Sequence, residues 1–185
     1  DNRQGQLFYA SLSSNKGFCQ SFRLGIDFTI LKKTKLAFIS CGGYHYEFQK
    51  LYLLDSKIQG TDMKSLKSKY NTVWNGPYLG MSLSWELNRV IWFLNKFNYT
   101  QSVYSAKADW NLIEEFAHPI SFKHEARGYI FENYAVFIFK INQKSSLSSS
   151  FSYLFSETGK GVDELFYQNG KIAATQLNRV KRNRY

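Results

Sequence analysis

A two-residue alternation of large apolar with small or polar side chains recurs along most of this chain, and it limits the fold more than any other feature. From Phe18 the apolar set is Phe18, Phe22, Leu24, Ile26, Phe28 and Ile30. Between them stand Cys19, Ser21, Arg23, Gly25, Asp27 and Thr29. Successive side chains on a strand point to opposite faces, so this period builds a strand with one greasy face and one wet face. The pattern predicts six such strands, at about 18–31, 36–54, 70–87, 90–106, 120–141 and 147–157.

The connections alternate in length. Leu31-Lys32-Lys33-Thr34-Lys35, Asn88-Arg89 and the stretch from Asn142 to Ser145 are tight polar turns. The segments at about 55–69, 107–119 and 158–171 are long and polar, the second with room for one helical turn. A soluble antiparallel sandwich has no reason to keep that order. A membrane barrel does, because its inner turns are tight and its outer loops long. The strands exceed the soluble mode of about 5–6 residues. They suit a tilted span of about 9–11 residues with an extension above it. Pro77 inside the third strand predicts a bulge near a rim, since proline cannot donate to a ladder. Trp85 and Trp92 flank the Asn88-Arg89 turn, where an interfacial aromatic belt is expected.

Bulk and charge assign the two faces. Phe22, Leu24, Ile26, Phe28, Leu79, Leu83, Trp85, Phe93, Phe97, Phe137 and Phe151 are together too bulky for one small interior, so they are expected to face lipid. Arg23, Asp27, His45, Glu47, Glu86, Lys96 and Glu132 share the parity of the small residues. They are expected to line the lumen and pair there, because a charge left alone inside is costly. Aromatics reach 18%, with 16 Phe and 13 Tyr, which suits strands and interfacial belts. There is no run of about 18 apolar residues, so a transmembrane helix is not expected.

The formal net charge of +10 admits a polyanionic partner. The basic residues lie mostly in turns and loops, at Lys32, Lys33, Lys35, Lys57, Lys64, Lys67, Lys69, Lys181, Arg182 and Arg184. They read as solvated loop charge. The expected partners are outer-membrane lipid and, through the basic loops, lipopolysaccharide, with no nucleic acid. Cys19 and Cys41 fall about six residues out of register, too far apart for a disulfide, so free thiols are expected. The Cys and His residues show no metal spacing. Gly159-Lys160-Gly161 lacks the spacing of a phosphate loop, and no cofactor is expected.

Several motifs then resemble one known family. Trp74-Asn75-Gly76-Pro77-Tyr78-Leu79-Gly80 looks like the Trp-x-Gly-Pro-x-x-Gly strand of the Protochlamydia outer membrane protein family. Trp110-Asn111-Leu112 looks like its Trp-Asn-Leu loop, and Phe122-Lys123-His124-Glu125-Ala126-Arg127-Gly128-Tyr129 like its Phe-x-His-x-Ala-x-Gly-Tyr strand. Gly43-Tyr44-His45-Tyr46-Glu47 and the closing Leu177, Asn178 and Val180 also fit. The family is similar in layout to the omptins, ten-stranded outer-membrane barrels. The resemblance implies an all-β, antiparallel, up-and-down transmembrane β-barrel, with about six or seven of ten strands present. Residues 1–185 would then form a single barrel domain truncated at both ends. The opening Asp1-Asn2-Arg3-Gln4 is not the start of a signal peptide, so a signal and the first strands are expected to precede it.

Omptins are proteases that pair Asp with His above the membrane, so that the Asp orients the His as general base. The matching loop here offers Asp109 followed by Trp110 and Asn111, with no His. His118 and His124 are the candidates to approach Asp109, although surface or rim hydrogen bonding is the simpler expectation for both. The leading expectation is a pore, surface or structural protein of the outer membrane without enzymatic activity. The alternatives are an omptin-like protease with a degenerate or displaced site, and a soluble basic β-barrel that binds a ligand or nucleic acid.

Overall fold

A computed structural model of the chain describes the backbone of residues 2–3, 6–7, 10–13, 16–58, 61–111 and 113–184, and the side chains of 16–52, 67–111 and 113–184. Leu112 of the Trp-Asn-Leu motif and the side chains of Lys57 and Lys64 lie outside the described residues.

Six long strands run up and down in chain order. They are β4 (Gly17–Lys33), β5 (Leu36–Ile58), β6 (Thr61–Glu86), β7 (Ile91–Asp109), β8 (Phe122–Lys140) and β9 (Ser146–Phe166). The short β10 (Ile172–Leu177) and β11 (Lys181–Arg184) pair in turn along β9. Near the N-terminus, β1 (Asn2–Arg3) and β2 (Gln6–Leu7) pair with each other, and β3 (Ala10–Ser13) pairs with the far end of β5. Among the described residues every pairing is antiparallel, and no ladder joins the two edges of the sheet.

The tight turns lie where the alternation places them. Two of the long connections do not. The segment expected as a loop at 55–69 is mostly paired backbone: β5 and β6 continue upward, matching Lys57 with Asp62 and Ile58 with Thr61. The segment at 158–171 is likewise taken up by β9 as far as Phe166, with only a short turn before β10. Backbone pairing is indifferent to side-chain polarity, so a ladder extends into sequence that reads as loop. The third connection, 110–121, is irregular and contains no helical turn among its described residues.

Pro77 makes no bulge. The β6–β7 pairing stops at Asn75–Val103 and resumes at Tyr78–Thr100 with the register unchanged. The missing N–H leaves a gap in the ladder instead of a shift. The bulges occur elsewhere, between Thr29 and Leu31 in β4, between Leu54 and Ser56 in β5, and between Ala126 and Gly128 in the β8–β9 ladder. Cys19 pairs with Gln49 and Cys41 with Asp27, and both thiols are free.

The sheet curls, because side chains on one face meet across strands that are not neighbours. Arg23 on β4 pairs with Glu132 on β8, and Arg182 on β11 pairs with Glu47 on β5. That inner face carries a buried cluster of Trp74, Tyr104, Ala106, Ala126, Ile130 and Leu154. Phe22, Leu24, Ile26, Phe28, Leu79, Trp85, Phe137 and Phe151 are exposed. Leu83, Phe93 and Phe97 are half-covered, Phe93 by Phe137 with ring centroids 4.8 Å apart and Phe97 by Phe131 at 5.8 Å. Trp85 and Trp92 do not form one belt. Trp85 pairs with Phe93 and Glu86 with Trp92, which puts Trp92 on the opposite face of the sheet. There Lys140 stacks over its ring at 4.5 Å.

Candidate functional site

The outer mouth of the sheet gathers polar groups from four consecutive strands. Tyr70 on β6, Tyr104 on β7, His124 on β8 and Asp163 on β9 form a linked row. The Tyr70 and Tyr104 hydroxyls are 2.6 Å apart. The Tyr70 hydroxyl also lies 3.0 Å from His124 Nδ1. On the far side of that ring, Nε2 is 3.1 Å from Asp163 Oδ1, an ion-pair distance without hydrogen-bond alignment. These residues stand more than about ten positions from the tight turns, beyond a single membrane span. Burial pushes the Tyr70 phenol above its ordinary value. Burial pushes Tyr104 far higher, and neighbouring Tyr70 adds to the shift.

Beneath this row the inner face is wired together. Tyr104 packs on Trp74 with centroids 4.7 Å apart, a geometry worth about 0.5–1.5 kcal/mol beyond area burial. Arg182 lies 5.6 Å over the Trp74 ring, donates from Nε to Ser156 Oγ at 3.2 Å, and pairs through Nη1 with Glu47. Glu47 is 1% exposed. His45 is fully buried beside it, with Nε2 2.9 Å from Ser21 Oγ and Nδ1 3.4 Å from Thr100 Oγ1. Arg23, His45, Glu47 and Glu132 are therefore brought into contacts across the inner face. Asp27, Glu86 and Lys96 share that face by register but form no ion pair among the described residues.

The irregular connection 110–121 is tied down at several points. Asn111 Oδ1 accepts the Lys67 N–H at 2.9 Å and the Ser68 hydroxyl at 3.1 Å. The fully buried Ser121 accepts the Trp110 N–H and donates to the Ala117 carbonyl. Phe116 seats edge-on against Phe122 and Tyr167. This folding brings His118 Nδ1 to 2.7 Å from Asp109 Oδ1 at an exposed position. His124 turns instead towards Asp163, so the two histidines serve separate carboxylates.

The motif residues thus have separate tasks. Trp74 anchors the inner cluster. A Cβ on Gly80 would lie 2.3 Å from Asn98 Oδ1 and 2.6 Å from Cys41 Sγ, so only glycine leaves those side chains room. Asn111 clamps the loop onto β6, and Ala126 lines the buried cluster.

The model of the Protochlamydia outer membrane protein family matches residues 3–185. The chain belongs to that family. Members are outer-membrane proteins, and the up-and-down sheet with its exposed apolar face is an outer-membrane β-barrel wall. This location displaces the soluble-barrel alternative. Among solved structures, the chain is similar to the outer membrane protease OmpT from Escherichia coli, with a TM-score of 0.62 and 11% identity. The likeness covers 89% of this chain and 59% of that one. At that identity it shows the shared fold alone. The chain spans about 59% of the length of OmpT. Comparison with the curated proteins gave no match.

Within this family member, the alternation identified the wall but missed Tyr70, Trp74, Tyr104, Asp163 and Arg182. Parity was the available signal: Trp74 shares its phase with Gly76, Tyr78 and Gly80 on the buried face of β6. Arg182 lies in a segment whose alternation is weak, and nothing local marks it.

Proposed function

We propose that this outer-membrane barrel has a structural, surface-presenting role, without enzymatic activity and without an open channel. The observation that carries the reading is the pair of ties across the inner face, Glu47–Arg182 and Arg23–Glu132. Each joins non-neighbouring strands and occupies space that a passing solute needs. Reconstitution into a planar bilayer tests the reading. No conductance steps are expected, and sustained single-channel steps would overturn it.

Phe22, Leu24, Ile26, Phe28, Leu79, Leu83, Trp85, Phe93, Phe97, Phe137 and Phe151 are the proposed lipid contacts. A membrane-restricted photolabel should mark this face and spare Ser82 and Ser84. The exposed Lys67 and Lys69 at the outer end are the proposed contacts for lipopolysaccharide. Binding of lipopolysaccharide that is undiminished in the Lys67→Gln, Lys69→Gln double variant would remove them from that role.

A second reading rests on His118 and Asp109, 2.7 Å apart. A carboxylate beside an imidazole holds it as a general base that can activate water. On this reading the protein is an outer-membrane peptidase whose His comes from a different part of the loop. Cleavage of a dibasic peptide, lost in both Asp109→Ala and His118→Ala, would replace the first reading with this one.

A further inference from the structure

The inner face also holds a cavity of about 270 Å³, set between β4, β7, β8, β9 and β11. Three cations line it, Arg23, Lys96 and Arg184, with a single carboxylate, Glu132. Glu132 is already committed to Arg23. Among the described residues Arg184 donates only to Cys19 Sγ, at 3.7 Å, a weak neutral acceptor. Lys96 has no ion-pair or hydrogen-bond partner among the described residues. Two positive charges therefore line one cavity without a counter-charge of their own among the described residues. Around them stand neutral polar groups, including Asn98 and Ser152.

Lys96 and Arg184 are both exposed at this open cavity, so water screens part of their mutual repulsion, and an anion held between them removes the rest. Lysine supplies a compact point charge and arginine a planar fork of donors, and both suit a tetrahedral or carboxylate oxyanion. The volume lies below the range of about 300–1,000 Å³ typical of drug-sized ligands, so the occupant is small. We propose that this cavity is a binding site for a small oxyanion, of the phosphate or carboxylate class, held by Lys96 and Arg184 with Arg23 fixed in place by Glu132. Lipid headgroups are not the source, because the cavity opens on the face opposite the exposed apolar one.

Inorganic phosphate is the probe, titrated calorimetrically into the protein purified in detergent, with chloride at matched ionic strength as the second arm. Saturable phosphate binding that chloride does not reproduce is expected. Lys96→Gln and Arg184→Gln should each weaken it about tenfold, the size of one charge-assisted hydrogen bond. Lys140→Gln, at the tight-turn end, should leave it unchanged. Circular dichroism and detergent-gel mobility identify the variants that keep the native sheet, and only those are scored. The proposal is overturned by an absence of saturable binding at millimolar phosphate, by equal binding of chloride, or by folded Lys96→Gln and Arg184→Gln variants that bind like the parent.

Discussion

Tyr70 and Tyr104 share a 2.6 Å hydrogen bond between adjacent strands at the mouth of the sheet. Both phenols are pushed above the ordinary tyrosine value by burial. A raised folded-state value favours the protonated form. The stabilising contribution is therefore complete below the unfolded value of about 10 and is lost as pH rises beyond it. An ultraviolet phenolate titration should show exposed tyrosines ionising first and a late fraction ionising together with loss of the sheet. Tyr104→Phe should remove part of that late fraction. Simultaneous ionisation of all 13 tyrosines near their ordinary value would contradict the prediction.

Glu47 is almost wholly buried and depends on Arg182 for its counter-charge. Arg182→Ala strands a carboxylate and should cost about 3–5 kcal/mol in denaturant unfolding. Combining Glu47→Gln with Arg182→Met should recover most of that loss. A double variant as unstable as Arg182→Ala would show that Arg182 acts chiefly through its packing on Trp74.

Gly76 passes so close to β7 that a Cβ would lie 1.9 Å from the Gln101 carbonyl oxygen. That obstacle is backbone and cannot swing away. Gly76→Ala should abolish the heat-modifiable folded band on a detergent gel. Gly159→Ala, whose nearest neighbour is 3.8 Å away, should leave the band intact.

Leu79 is 70% exposed on the outer face of β6. In a bilayer, Leu79→Lys should cost about 2–4 kcal/mol of folding free energy, as charges do near the midplane of barrel walls. Ser84→Lys on the same strand faces inward and should cost well below that. Equal costs at the two positions would contradict this sidedness, and a larger cost at Ser84 would reverse it.

The wall was legible in the sequence because its signal is local. Phe22 to Phe28 announce their face within seven residues, and the tight turn at Asn88-Arg89 announces itself. Trp92 was misread because proximity to a turn says nothing about parity. The β6–β7 register pairs Trp85 with Phe93, so residue 92 must lie on the other face. The upper ladders were misread because lysine and serine do not prevent backbone pairing. The Tyr70–Tyr104–His124–Asp163 row was illegible for a different reason. It depends on three successive registers being right, and a slip of one residue in any of them would turn a member outward.

The two inner ties also impose an order on assembly. From β4 to β10, each ladder joins strands that follow one another in the chain, so the wall can lengthen hairpin by hairpin with little loop entropy to overcome. Arg23 waits 109 residues for Glu132, and Glu47 waits 135 for Arg182. Until β11 arrives, Glu47 has no cation to offset its removal from water. The pairing of β11 with β9 thus completes the surroundings of a strand laid down much earlier, and a chain that stalls before Arg182 leaves Glu47 without its cation.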